Sequence, residues 1–151
     1  MGSSLSLSDD FDASKIVVGS IIWYINDEIG TPQWHPHVVI AIDEGLYYTV
    51  CGTSQQATIE RKAKNLKLSD YSCFPALGPT LENKLSKDTF FDCTDYFEIH
   101  EDVLQDKYER GEGLKVSGCV TYSDYTQIRS ALFSSPTLDI GDLLVHPEDD
   151  F

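Results

Sequence analysis

The run His35-Pro36-His37-Val38-Val39-Ile40-Ala41-Ile42 is apolar at every position from Val38 to Ile42 and so lacks the alternation of a strand with one wet face. A stretch of this length, rich in β-branched residues, predicts a strand buried on both sides, and the domain must therefore build core against two faces of one sheet. Asp43-Glu44-Gly45 supplies a tight turn, and "GLYYTVCGT" follows as the partner strand of a hairpin. Pro36 offers no N–H to a ladder, which places it near the strand's start or at an edge.

With 151 residues and 41% hydrophobic content, the chain has the size of one domain with a real core. The sequence predicts a leader over 1–14, a single domain over 15–138 and an acidic tail over 139–151. Residues 1–14, rich in Ser and Asp, read as a solvated, flexible segment. "KIVVGSIIWYI" predicts a strand bent at Gly19, and "NDEIGTPQ" a loop. "SQQATIERKAKNLKLSDYSC" reads as a polar segment ending in a short strand, and "FPALGPTLENKLSK" as a surface loop. "DTFFDCTDYFEI" predicts one strand, or two joined at Thr94-Asp95. "HEDVLQDKYERGEG" predicts a helical turn closing at Gly111, and "LKVSGCV" a brief strand. "TYSDYTQIRSALFSSP" predicts a helix capped by Thr121, with Ile128, Ala131 and Leu132 on its inner face and Pro136 as its stop. Five or six short strands with two brief helices describe a mainly β chain, a small barrel or half-open sheet.

The formal charge of −14 argues against a protein that coats nucleic acid, because phosphate binding needs Lys and Arg to displace counterions. The acid is uneven: residues 1–14 carry −3 and residues 139–151 carry −5, so −6 falls on the middle. Within it, "ERKAKNLK" places Arg61, Lys62, Lys64 and Lys67 against Glu60, the chain's one basic cluster. Cys51, Cys73, Cys93 and Cys119 form no CxxC pair and are expected as reduced, semi-buried residues rather than a zinc knuckle or a redox dithiol. No apolar run approaches membrane-spanning length, and the first fifteen residues lack the pattern of a secretory signal; a soluble, cytoplasmic protein is expected.

On an extended strand His35 and His37 share one face, about 6.6 Å apart at Cα. Two imidazoles can serve as base and acid near neutral pH. Thr53, Ser54, Gln55 and Gln56, at the end of the partner strand, offer hydroxyls and amides. The plainer alternative is that both histidines mark where loop becomes strand, with Trp34 covering the barrel end. His-x-His gives two metal ligands where a catalytic zinc takes three, and no G-x-S-x-G turn supports acyl chemistry; no metal or cofactor is expected.

In order along the chain, "GSIIWYI" (19–25), "HPHVVIAI" (35–42), "VCGTSQQ" (50–56), "DTFFDC" (88–93) and "TQIRSALFSS" (126–135) resemble the successive landmarks of the PemK/MazF-like toxin family over about residues 16–135. The resemblance implies a small SH3-like β-barrel with a C-terminal α-helix and short helical insertions, a homodimer, and metal-independent endoribonuclease activity in which a 2′-hydroxyl attacks its own phosphate. Pro36, Thr53 and Ser54 match the family pattern. His35 stands where the family has Arg, and Ser20 where it has Asp after the first-strand Gly. The implied site has His35 and His37 as acid and base and Thr53 and Ser54 as phosphate ligands. Trp34, Gln55, Gln56, Arg61, Lys62 and Lys64 are expected to contact single-stranded RNA. Losing a permanently charged, bidentate Arg also fits a second expectation, a catalytically inactive barrel that binds an antitoxin-like protein or acts as a regulatory module. A third idea is that the acidic "VHPEDDF" imitates RNA in the groove of its own or a neighbouring protein.

Overall fold

The computed structural model describes residues 15–26, 33–139 and 144; the proposed leader, nearly all of the acidic tail and most of the loop after the first strand lie outside the described residues. The chain is mainly β. Its elements run β1 (Ser20–Ile25), β2 (Trp34–Asp43), β3 (Leu46–Thr53), α1 (Gln56–Asn65), β4 (Ala76–Leu77), β5 (Thr89–Phe91), β6 (Phe97–His100), α2 (Glu101–Arg110), β7 (Leu114–Cys119) and α3 (Tyr122–Ser134). The seven strands are joined by antiparallel pairing into one curled sheet of order β4-β5-β3-β2-β1-β7, with β6 beside β3 off this path. One side of β3 pairs with β2. The other is divided: Leu46–Thr49 pair with β6, and Gly52 and Thr53 with β5.

Burial follows strand alternation. Ile21, Val38, Ile40 and Val50 join Phe91 and the inner face of α3 (Tyr125, Ile128, Ala131, Leu132) in one core. Their neighbours Ile22, Val39 and Tyr47 join Tyr24, Ile99 and Leu104 of α2 in the other. This is why Val38–Ala41 show no polar position: the sheet is covered on both faces. The pairing slips between Val39 and Ala41, and this bulge moves Ala41 into the α3-side core while Ile42 emerges to solvent. Pure alternation would place Ala41 with the histidines and Val39. The hairpin turn has positive φ at both central residues, Glu44 (49°) and Gly45 (80°), a type I′ geometry that suits the strand twist.

Gly19 (φ 95°) redirects the chain into β1, so the strand starts at Ser20 rather than at Lys15. Thr121 caps α3 by accepting from the Asp124 N–H at 3.1 Å, and Gly111 closes α2 in the left-handed conformation at φ 70°. Two segments depart from expectation, and a third resolves between its two alternatives. Residues 56–65 form a helix, not part of a polar segment running into a strand; Ile59 and Ala63, four apart, pack it on Phe74, Cys73 and Phe90 in a small cluster of its own. "FPALGPTLENKLSK" is no mere surface loop, since Leu77 and Leu85 enter the main core and Asn83 is fully buried. Asn83 organises that turn: its Oδ1 accepts from Thr80 N–H and Leu85 N–H, and its Nδ2 donates to Gly78 O, each at 2.9 Å. "DTFFDCTDYFEI" divides into β5 and β6, the second of the two alternatives, because the two halves pair with opposite ends of β3. The total is seven strands and three helices among the described residues.

Candidate functional site

At the end of the β2–β3 hairpin opposite its turn, a cleft of about 570 Å³ opens between the sheet and α1. His35 comes from β2, Cys51 and Thr53 from β3, Arg61 and Lys62 from α1, and Asp92 from the segment after β5. Phe97 of β6 lines the same cleft. The helix is what brings the basic cluster here: leaving β3 at Thr53, the chain turns once and lays Arg61 and Lys62 beside the strand ends. Gly52 permits close packing at this point, since a Cβ there would stand 2.7 Å from the Phe91 ring and 2.8 Å from Thr89 Cγ2.

His35 Nδ1 lies 3.2 Å from the Gly52 carbonyl. A carbonyl only accepts, so Nδ1 carries the proton and, in the neutral ring, Nε2 is left as the basic atom. Thr53 Oγ1 accepts from the Gln55 N–H at 3.1 Å, which leaves its hydroxyl hydrogen to be donated elsewhere. Gln55, at the N-cap of α1, provides no side-chain cap, and the first helical turn holds no acid. Lys62 Nζ pairs with Asp92 Oδ2 at 2.7 Å, and Asp92 is held in turn by the Thr94 N–H and hydroxyl. Arg61 is exposed and forms no ion pair among the described residues. With Asp95 also on the wall, the two cations face two carboxylates. Burial first, then the Asp92 charge, pushes the Cys51 thiol up to about 12, so it is a neutral wall rather than a nucleophile.

His37 does not join His35 in the cleft. It is fully buried, its Nδ1 3.1 Å from Thr49 Oγ1 and its ring edge-on to Tyr24 and Phe97. Phe97 packs against His37 and also lines the cleft. Burial, reinforced by the neighbouring His35, pushes the His37 pKa down to about 3, and its Nε2 has no hydrogen-bond partner. A neutral, enclosed ring is a core group, not half of an acid–base pair.

This burial makes stability depend on pH. Because the folded-state pKa lies below the unfolded value of 6.5, the unfolded chain takes up a proton that the folded chain refuses; the associated stability is complete above pH 6.5 and is lost as the pH falls toward 3. Between about pH 7.5 and 5 the loss is about 2 kcal/mol. Replacing both partners, His37→Leu with Thr49→Val, should flatten this acid limb in denaturant titrations at the two pH values. A double variant that keeps the full 2 kcal/mol difference would place the proton uptake elsewhere.

The remaining expected site residues divide. Trp34 and Ser54 line a second, smaller cleft, bordered in common with the first by His35, Thr53 and Gln55. Gln56 lies outside both clefts, its amide donating to Glu60 along α1, and Lys64 is exposed on the same helix away from them. Asp92, Asp95, Phe97 and Thr58 in the first cleft, and Trp23, Ser86 and Lys87 in the second, are among the lining residues that went unread as site residues in the sequence. Of the missed elements only α1 carried a local signal, the Ile59–Ala63–Leu66 spacing. Among the described residues no group of three or more His, Cys, Asp or Glu side chains is placed to hold a metal ion, and no helix is long and apolar enough to cross a membrane. In sequence the chain matches no protein-family model, and no curated protein shows significant similarity to it.

Proposed function

We propose that the protein is a PemK/MazF-like, SH3-type barrel that cleaves single-stranded RNA within the larger cleft. The observation that carries this reading is the convergence of His35, Thr53, Arg61 and Lys62, drawn from β2, β3 and α1, on one open space. One basic imidazole nitrogen, one free hydroxyl hydrogen and two cations form a set suited to a phosphodiester. In this reading Nε2 of His35 removes the proton of the ribose 2′-hydroxyl, whose oxygen attacks the adjacent phosphorus. Thr53 and Arg61 bind the phosphate oxygens as charge builds on them. Lys62 shares its charge between Asp92 and the entering phosphate. The 5′-oxygen leaves and regains a proton from the imidazolium, giving a cyclic 2′,3′-phosphate and restoring neutral His35.

A second reading is favoured by the pairing of Lys62 with Asp92 and by the balance of two cations against two carboxylates. It is a non-catalytic barrel whose cleft takes a partner protein, in keeping with the loss of the family's Arg at position 35. Homodimerisation belongs to the family reading and stands or falls with it.

Incubating a long mixed-sequence RNA with the purified chain in EDTA separates the two. New 3′ ends that carry cyclic phosphate, and that diminish roughly 10- to 100-fold with Thr53→Val, are expected of the nuclease. RNA left intact at micromolar protein would discard it in favour of the interaction module.

A further inference from the structure

The smaller cleft, about 220 Å³, has the volume of roughly seven water molecules, room for one aromatic ring system and its polar edge. Trp23 and Trp34, both tryptophans of the chain, line it. β1 and β2 place them there: Trp23 is the register partner of Pro36, and Trp34 pairs with Ile25 at the strand end. Trp34 is 48% exposed, a large ring half-open to water on the cleft wall. Around the indoles stand Ser54, Gln55 and Ser86, hydroxyls and an amide able to donate and accept. Lys87 stands at the same cleft and forms no ion pair among the described residues.

An aromatic wall, a few adaptable polar groups and one unpaired cation match the three parts of a nucleotide: base face, base edge and phosphate. The position adds a fourth argument. Because His35 and Thr53 border both clefts, a strand whose phosphate lies against them has its neighbouring base at the mouth of the smaller cleft. We infer that the smaller cleft is a nucleobase subsite, in which one base flanking the scissile phosphate stacks on Trp34 while Lys87 meets the next phosphate. This rests on the RNA reading of the larger cleft and assigns it a point of base recognition. Stacking on an aromatic side chain tolerates every base, so the hydrogen-bonding edge, Ser54, Gln55 and Ser86, sets any preference among them.

The test uses the full chain and uncleavable single strands: a 2′-deoxy oligothymidylate of about eight nucleotides and an abasic phosphodiester chain of equal length. Affinity is read by anisotropy of an end label, and indole emission reports the subsite directly, since both tryptophans line it. The base-bearing strand is expected to bind roughly 5- to 150-fold more tightly than the abasic one and to quench indole emission. Trp34→Leu should bring its affinity down to the abasic level, and Trp34→Phe should retain most of the gain; the exposed position makes both variants compatible with folding. Lys62→Ala should weaken both strands alike. If bases alter neither affinity nor emission while Lys62→Ala still weakens binding, the subsite is overturned and the phosphate cleft stands. If neither strand binds, the RNA reading itself fails and takes the subsite with it.

Discussion

Alanine at position 35 is expected to lower RNA cleavage by about 10²- to 10⁴-fold, the range for losing a positioned general base, equivalent to roughly 2.7–5.4 kcal/mol in the barrier. The argument is geometric. The Gly52 carbonyl fixes the proton on Nδ1 and so presents Nε2, and among the described residues no second imidazole lines the cleft to take over, since His37 is sealed in the core. His35→Asn sharpens the test, because its amide N–H can replace Nδ1–H toward Gly52 O without restoring a base. It should fold as well as the natural chain and remain as inactive as alanine. Cleavage by His35→Ala within about threefold of the natural chain would remove the base role and shift weight to the interaction module.

The largest effect on folding is expected from Gly118→Ala in β7. A Cβ there would overlap Glu82 O and stand 2.7 Å from Asn83 O, both backbone atoms. Neither atom is free to retreat. Cys119 N–H donates to Glu82 O at 2.9 Å, and the buried Asn83 side chain ties its turn together from three directions. Overpacking against a fixed backbone costs typically 1–3 kcal/mol, and breaking the Cys119 bond adds about 1. We expect a loss of about 3 kcal/mol, or roughly 6–12 °C in Tm for a chain of this size. Gly111→Ala is the informative control: nothing lies within 4 Å of its Cβ position, so only the left-handed φ of 70° opposes it, at about 1 kcal/mol. Equal melting of the two variants would mean that the segment around Glu82 yields.

These two predictions draw on different kinds of information. His35 was legible as a candidate because histidine beside a hydroxyl-bearing strand end is a local pattern. Nothing local marks Gly118: its importance comes from residues 82 and 83, more than thirty positions away and in a segment that reads as surface loop. The same distinction runs through the site. Thr53 and Gln55 were legible at the end of the partner strand, and Arg61 and Lys62 as a basic cluster, but Asp92, which pairs with Lys62, arrives from the segment after β5.

By itself the sequence determined the local matters. The unbroken apolar run of β2, the Glu44-Gly45 turn, the Thr121 cap and the Gly111 stop each act within a few residues, through solvation, φ preference or one hydrogen bond. Residues 56–65 show where local reading weakens, since a mostly polar helix declares itself only through Ile59 and Ala63 and the Phe74–Phe90 surface that receives them. The tertiary structure alone decided which of two histidines on one strand face meets solvent. Alternation treats His35 and His37 alike; Tyr24 from β1 and Phe97 from β6 enclose the second and leave the first at the strand end. Desolvation depends on everything packed around a group, and that is a property of the assembled sheet, not of a two-residue spacing.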